Sequence, residues 1–295
     1  MDGIWSYWSS PAGLTHQARW ATPFHHLISW ILSVRLARQQ FARTVLYTDS
    51  EGARLLADSL ALPFDEVHCL LDGLPSTQNR WWALGKLYAY RAHTRPFVHL
   101  DSDVYLWSPL PRELVTTSVF SQNPERFPFR GGYYAPTEMV ELVRRQDGWL
   151  PEELEWYTGI QGNEACCCGI LGANRVDFIA GYADRAITLV ERNSSIWEAL
   201  PASIDPNLVA EQYLLSAFYY FQCHKSRYRD VEIAYLFPTE SDARDGYQAS
   251  SVGFTHLMAG AKRDPVILSR LVARVQRDYP DDFARAADVS ALLSC

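Results

Sequence analysis

An α/β fold with a mostly parallel central sheet flanked by helices is the class this sequence predicts. Three observations carry that reading. Short apolar, β-prone runs alternate with longer segments of helical periodicity, the pattern of crossover units feeding a parallel sheet. The run Phe97-Val98-His99-Leu100 stops at Asp101 and Asp103, as a buried strand does when it delivers polar groups at its carboxyl end. The 295 residues, 48% hydrophobic and 21% charged, suffice for one large domain with an appendage.

The elements follow in order. Residues 4–8 form an aromatic strand, and Ser9-Ser10-Pro11-Ala12-Gly13 a loop. Leu27, Ile28, Ile31, Val34, Leu36 and Ala37 lie close to helical spacing across residues 24–40. Thr44-Val45-Leu46-Tyr47-Thr48 is the second strand, and residues 49–60 a helix with Asp49 or Ser50 as N-cap. Residues 66–71 make a third, weaker strand, and residues 81–93 a helix before the Pro96 turn. Residues 123–132, rich in Pro, Arg, Phe and Gly, are irregular. Residues 157–163 read as a glycine-containing loop, and residues 165–172 as one strand. Beyond them come an amphipathic helix over 178–192, a Pro-interrupted link to Glu211 and an apolar helix over 211–221. A strand over 231–236, a strand or loop over 252–258 and a surface helix over 265–279 complete the chain.

Composition removes several function classes. Net charge is −7, with no Lys/Arg-dense block, so neither nucleic acid nor an anionic membrane is the expected partner. The amino terminus lacks a basic segment followed by an apolar one, and no run approaches eighteen uninterrupted apolar residues. A soluble, cytoplasmic protein without a transmembrane segment is expected. The cysteines, Cys69, Cys166, Cys167, Cys168, Cys223 and Cys295, have neither zinc-ligand nor disulfide-framework spacing. Three in succession suit small buried hydrophobes in a reducing compartment. The aromatic fraction of 13%, with 10 Trp and 16 Tyr, is rich enough to build stacking surfaces as well as core.

The chemistry concentrates at Asp101-Ser102-Asp103. Two carboxylates at the end of a buried strand suit Mg²⁺ or Mn²⁺ shared with substrate phosphates. Taken alone, the tripeptide equally suits a solvated turn. Four segments, in order, resemble nucleotide-sugar glycosyltransferases of the GT-A class, most closely the family-8 type and uncharacterised bacterial relatives. They are Trp82-Ala83-Leu84-Gly85-Lys86-Leu87-Tyr88-Ala89-Tyr90, and His99-Leu100-Asp101-Ser102-Asp103 followed by Ser108-Pro109-Leu110. The others are Cys168-Gly169-Ile170-Leu171-Gly172-Ala173-Asn174 and Thr255-His256-Leu257-Met258-Ala259-Gly260-Ala261-Lys262. Gly260 falls one residue later than in that family, and Pro265 follows Lys262 by three residues rather than one.

The resemblance implies a GT-A-like, Rossmann-like nucleotide-diphospho-sugar transferase fold over residues 1–262, with residues 263–295 as a helical tail packed on it. It also implies sugar transfer from a nucleotide-sugar donor, mostly a UDP-sugar, to an unknown acceptor, leaning towards retention of configuration. Asp103 and His256 would bind Mn²⁺ or Mg²⁺ directly, and Asp101 would touch the metal or the ribose, with Ser102 between them. Lys262 would reach a diphosphate oxygen as a point charge. Lys86 would lie near the donor phosphate or sugar. Glu211-Gln212 resembles an Asp-Gln pair beside the reacting sugar. Tyr7, Trp8, Ser9, Thr48 and Asp49 would form the nucleotide pocket, while Trp81, Trp82, Asn163 and Glu164 would line the sugar or acceptor side.

Three other classes share part of this pattern. Asp101-Ser102-Asp103-Val104 fits the first motif of haloacid-dehalogenase phosphatases, where Asp101 would be nucleophile and Asp103 acid/base partner. That motif normally begins the domain, and here a hundred residues precede it. A sugar nucleotidyltransferase would need a Gly-rich signature that residues 9–13 lack. A non-catalytic nucleotide- or carbohydrate-binding protein would keep the carboxylates without turnover.

Overall fold

The computed structural model describes residues 1–11, 20–75, 80–128, 134–201, 204–225 and 227–293. The chain forms two compact units interleaved in sequence. The first comprises Met1–Gly85, Val98–Leu110 and Ala249–Cys295; the second comprises Lys86–Phe97 and Pro111–Gln248.

In the first unit the strands Phe97–Leu100, Asp2–Tyr7, Thr44–Thr48 and Glu66–His68 lie side by side in that order. Asp2–Tyr7 and Thr44–Thr48 run parallel, with Ile4 opposite Val45, and Glu66–His68 continues in parallel. Thr44–Thr48 is buried at every position, as expected of a strand covered on both faces. Helix Pro23–Ala37 starts where the Thr22 hydroxyl accepts from the His25 N–H and Pro23 takes the first turn. It is buried on nearly all sides, because Pro265–Asp278 and Pro280–Leu293 also pack against it. Arg35 holds Asp282 with two bonds of 2.6 and 2.8 Å, and Phe24 meets Phe283 edge-on at 5.2 Å. Two helices, Pro265–Asp278 and Pro280–Leu293, occupy the stretch where a surface helix and a helical tail were expected. Asp49 caps its helix through the Gly52 N–H, but that helix is Ser50–Ala53 followed by a wider π-type segment, Arg54–Ser59.

A separate antiparallel pair joins Phe254–His256 to Val104–Leu106. Gly253 makes it possible. Its φ is +68°, and a Cβ there would lie 2.5 Å from the Ser108 hydroxyl. Its carbonyl accepts from the Trp107 N–H at 2.8 Å, which sets the register.

In the second unit Ile233–Tyr235, Val119–Ser121 and Ile170–Ala173 are neighbours, the first pair parallel and the second antiparallel. The single strand expected over 165–172 is in fact two. Glu164–Cys166 pairs antiparallel with Pro124–Arg126, and Ile170–Ala173 joins a different sheet. Cys167 turns the chain between them: its N–H donates to Asn123, and its carbonyl accepts from Gln122. The loop expected from Tyr157 begins later, because Tyr157 is buried within helix Glu152–Gly159. The apolar helix near 211–221 is Leu214–His224, preceded by the π-type segment Val209–Tyr213. Ser9–Pro11 is a helical turn; residues 12–13 and 129–132 of the two expected irregular stretches lie outside the described residues, as does Cys295.

Candidate metal centre and its surroundings

The carboxyl end of Phe97–Leu100 opens into a turn whose backbone is tied down at every residue. The Asp101 carbonyl accepts from the Val104 N–H at 3.0 Å and from the Ser33 hydroxyl at 3.2 Å. The Ser102 carbonyl accepts from the Ser29 hydroxyl at 2.8 Å, and the Ser29 oxygen also meets the Tyr105 hydroxyl at 2.8 Å. The Asp103 carbonyl accepts from the Leu257 N–H at 3.0 Å. Ser29 and Ser33, one helical turn apart, thus anchor the turn from the helix below. Burial pushes the Tyr105 phenol up, so it remains protonated in this network.

The antiparallel pair closes the long sequence gap. His256 sits opposite Val104, next to Asp103, and its Nε2 lies 3.5 Å from an Asp103 carboxylate oxygen. Asp101, Asp103 and His256 offer ligand atoms that all lie within 4.8 Å of one another. A cation with ligands at about 2.1 Å places adjacent ones about 3 Å apart and opposite ones about 4.2 Å apart, so the three come into one coordination sphere by closing at most about 2 Å. Two carboxylates and an imidazole suit Mn²⁺ or Mg²⁺, the histidine favouring Mn²⁺. Asp103 is nearly enclosed, His256 retains 11% of its side-chain exposure and Asp101 retains 22%.

Lys262 comes to the same place. Its ammonium pairs with the second oxygen of Asp103 and lies 5.8 Å from the centroid of the buried Trp20 ring. The Lys262 carbonyl accepts from the Ala21 N–H, which fixes the chain that carries it. Two histidines missed in the sequence belong here. His99 is buried, with Nε2 3.0 Å from the Ser6 hydroxyl and Nδ1 3.9 Å from Asp101. His26 is buried and its Nε2 accepts from the Trp30 indole at 3.1 Å, leaving the proton of the neutral ring on Nδ1. Burial first, and then the Lys262 ammonium, lower its pKa to about 4, with Asp103 opposing. The signal available for Ser29 and Ser33 was two hydroxyls at i, i+4 bracketing the apolar run Trp30-Ile31-Leu32.

The expected nucleotide-pocket residues are in the same unit, and several hold the fold. Thr48 donates its hydroxyl to the Tyr7 carbonyl at 2.6 Å. One Asp49 oxygen accepts from the Gly52 N–H, and the other from the Ser9 N–H and hydroxyl at 2.9 and 2.6 Å. Trp8 and Trp81 are core. Tyr7 and Ser9 face a cavity of about 400 Å³, also lined by Arg54 and Leu292.

In the second unit Lys86 donates to Glu211 at 2.8 Å and to the Cys168 carbonyl at 3.4 Å. Glu211 is fully enclosed, and its main-chain carbonyl accepts from the Tyr182 hydroxyl. The Tyr134 hydroxyl reaches both the Gln212 side-chain oxygen and Glu125. Lys86 and Glu211 are therefore brought together as a buried pair, while the Gln212 side chain belongs to a second buried group with Tyr134 and Glu125. Burial pushes the Cys166 thiol up to about 11 and those of Cys167 and Cys168 well above their ordinary value. All five described cysteines are free thiols.

Fold and site together define a mixed α/β protein with an Asp-Asp-His group able to hold a cation beside a lysine. The chain belongs to DUF6734, a family of unknown function whose model matches residues 1–289. No curated protein matches it. Among the described residues, no helix is long and apolar enough to cross a membrane.

Proposed function

We propose that this protein is a glycosyltransferase of GT-A-like fold, moving a sugar from a nucleotide-sugar donor, a UDP-sugar, to an acceptor. One observation carries the reading. Asp101, Asp103, His256 and Lys262, drawn from segments over 150 residues apart in sequence (256 − 103 = 153), converge at the end of a buried strand. Asp101, Asp103 and His256 would hold Mn²⁺ or Mg²⁺. The cation supplies neutralisation of the charge that builds on a departing diphosphate.

Lys262 has a charge to give to phosphate once Asp103 is otherwise engaged. Ser29 and Ser33 keep the carboxylates aimed without reorganisation at the moment of reaction. Tyr7 and Ser9, facing their cavity, are the groups for the base and ribose. Lys86, Glu211 and Gln212 of the second unit are the groups assigned to the sugar, the lysine pairing directly with the glutamate. Free thiols throughout the described chain suit a cytoplasmic setting.

Radiolabelled UDP-sugars incubated with the protein and Mn²⁺ test this directly. Metal-dependent release of UDP is expected, lost with EDTA and lost in Asp103→Ala. Absence of both turnover and Mn²⁺-dependent UDP binding would defeat the reading.

A further inference from the structure

We infer that the second unit binds a neutral saccharide in an open cleft of about 660 Å³, with aromatic walls and one polar pair, Arg126 and Glu164. The walls come from two helices packed together, Glu152–Gly159 and Leu214–His224. Trp156 stacks with His224 at 5.6 Å and 24°, and Tyr157 with Tyr220 at 5.5 Å and 15°. Tyr157 is buried behind the other rings, and half-buried Trp156 and Tyr220, the latter 38% exposed, are the aromatic surface the cleft presents. Gly162 shapes the floor: a Cβ there would lie 2.3 Å from the Tyr157 ring, so only glycine lets the chain lie against it.

The polar pair sets the ligand chemistry. Glu164 is mostly buried, with 13% of its side chain exposed, and accepts from Tyr220 at 2.9 Å, Tyr235 at 3.4 Å and the Arg126 Nε at 3.2 Å. A carboxylate offers about four lone-pair directions, so one remains beyond these three. Arg126 uses Nε for this bond and leaves 77% of its side chain exposed. A free acceptor beside free N–H donors matches a hydroxyl pair, which can donate to one and accept from the other. The ring faces carry negative quadrupole potential and attract the weakly positive C–H face of a pyranose. Glu164 and Arg126 neutralise each other, so the cleft offers hydrogen-bonding groups without net charge from this pair, which suits an uncharged ligand.

This inference goes beyond the glycosyl-transfer reading and stands on its own residues; where both hold, a neutral saccharide is the acceptor class. Saturation-transfer NMR on the full chain with EDTA present, using maltose, cellobiose, lactose and diacetylchitobiose, separates it from the metal-dependent reading. Transfer to ring C–H protons of at least one disaccharide is expected, with affinity at least tenfold weaker in Trp156→Ala and Tyr220→Ala and weakened in Glu164→Gln. Tyr220→Ala, at a part-exposed ring, and the isosteric Glu164→Gln keep the test decisive should Trp156→Ala fail to fold. No transfer to any of the four, undiminished binding in the variants, or preference for glucuronate would overturn the assignment.

Discussion

Replacing Lys262 by Met should make the cation-free protein less stable while making it bind Mn²⁺ more tightly. Lys262 and Asp103 form an ion pair whose side chains are only 11% and 6% exposed. Removing one partner of such a pair costs about 3–5 kcal/mol, and the lower end applies because His256 remains 3.5 Å from Asp103. At about 2–4 °C per kcal/mol for a chain approaching this size, the thermal midpoint without metal should fall by about 6–12 °C. The cation, however, competes with the ammonium for Asp103. A +1 and a +2 charge about 4 Å apart repel by about 2 kcal/mol even at the dielectric of water, equivalent to about thirtyfold in affinity. Because the lysine side chain can withdraw, a gain of about tenfold or more is expected. Calorimetric titration of Mn²⁺ into both proteins measures this, and UDP titrated in saturating Mn²⁺ should bind the variant more weakly. If Lys262→Met leaves both the midpoint and the Mn²⁺ affinity unchanged, the lysine is not the cation's competitor and the charge logic of the site is wrong.

Ser29→Ala and Ser33→Ala should each lower stability by about 1 kcal/mol, by removing a hydrogen bond to the Asp101–Asp103 turn, and both should weaken Mn²⁺ binding without touching the ion; unchanged metal affinity in the double variant would show that the turn aims itself. His26 titrates at about 4 when folded against 6.5 for an ordinary histidine, so the unfolded chain binds the proton first as pH falls. Stability should therefore drop between pH 6.5 and 4, on the order of 3 kcal/mol, and thermal midpoints of His26→Gln should fall less steeply over that range. With Cys166 pushed to about 11 against an ordinary 9.0 and Cys69 exposed, a thiol reagent should label Cys69 first and Cys166 at least about a hundredfold more slowly; rapid native labelling at Cys166 to Cys168, mapped by peptide mass, would contradict their burial. Asp103→Ala and His256→Ala should each abolish Mn²⁺-dependent UDP binding, the double variant being little worse than either single one; His256→Ala with full binding would remove histidine from the centre.

Local order was legible wherever one short stretch contained its own cause. Thr44–Thr48 and Phe97–Leu100 were readable because buried parallel strands are continuous apolar runs, and Asp49 because a cap bonds a backbone N–H three residues away. The Asp-x-Asp turn announced itself for the same reason. What the sequence concealed depends on partners distant along the chain. Cys166 and Ile170 look like one strand until Asn123 and Gln122 claim the backbone of Cys167, and Pro280–Leu293 finds its place through Arg35. Lys262 was expected on a phosphate, and its partner without one is Asp103. His26 and Ser33 look like ordinary members of an apolar helix, and only packing reveals what they face. Composition and periodicity by themselves determined that this chain builds an α/β core and ends a strand in two carboxylates, because burial and capping act over a few residues. That His256 completes the group was decided by tertiary structure, since a ladder register set at Gly253 acts across the whole chain and leaves no periodic trace in it.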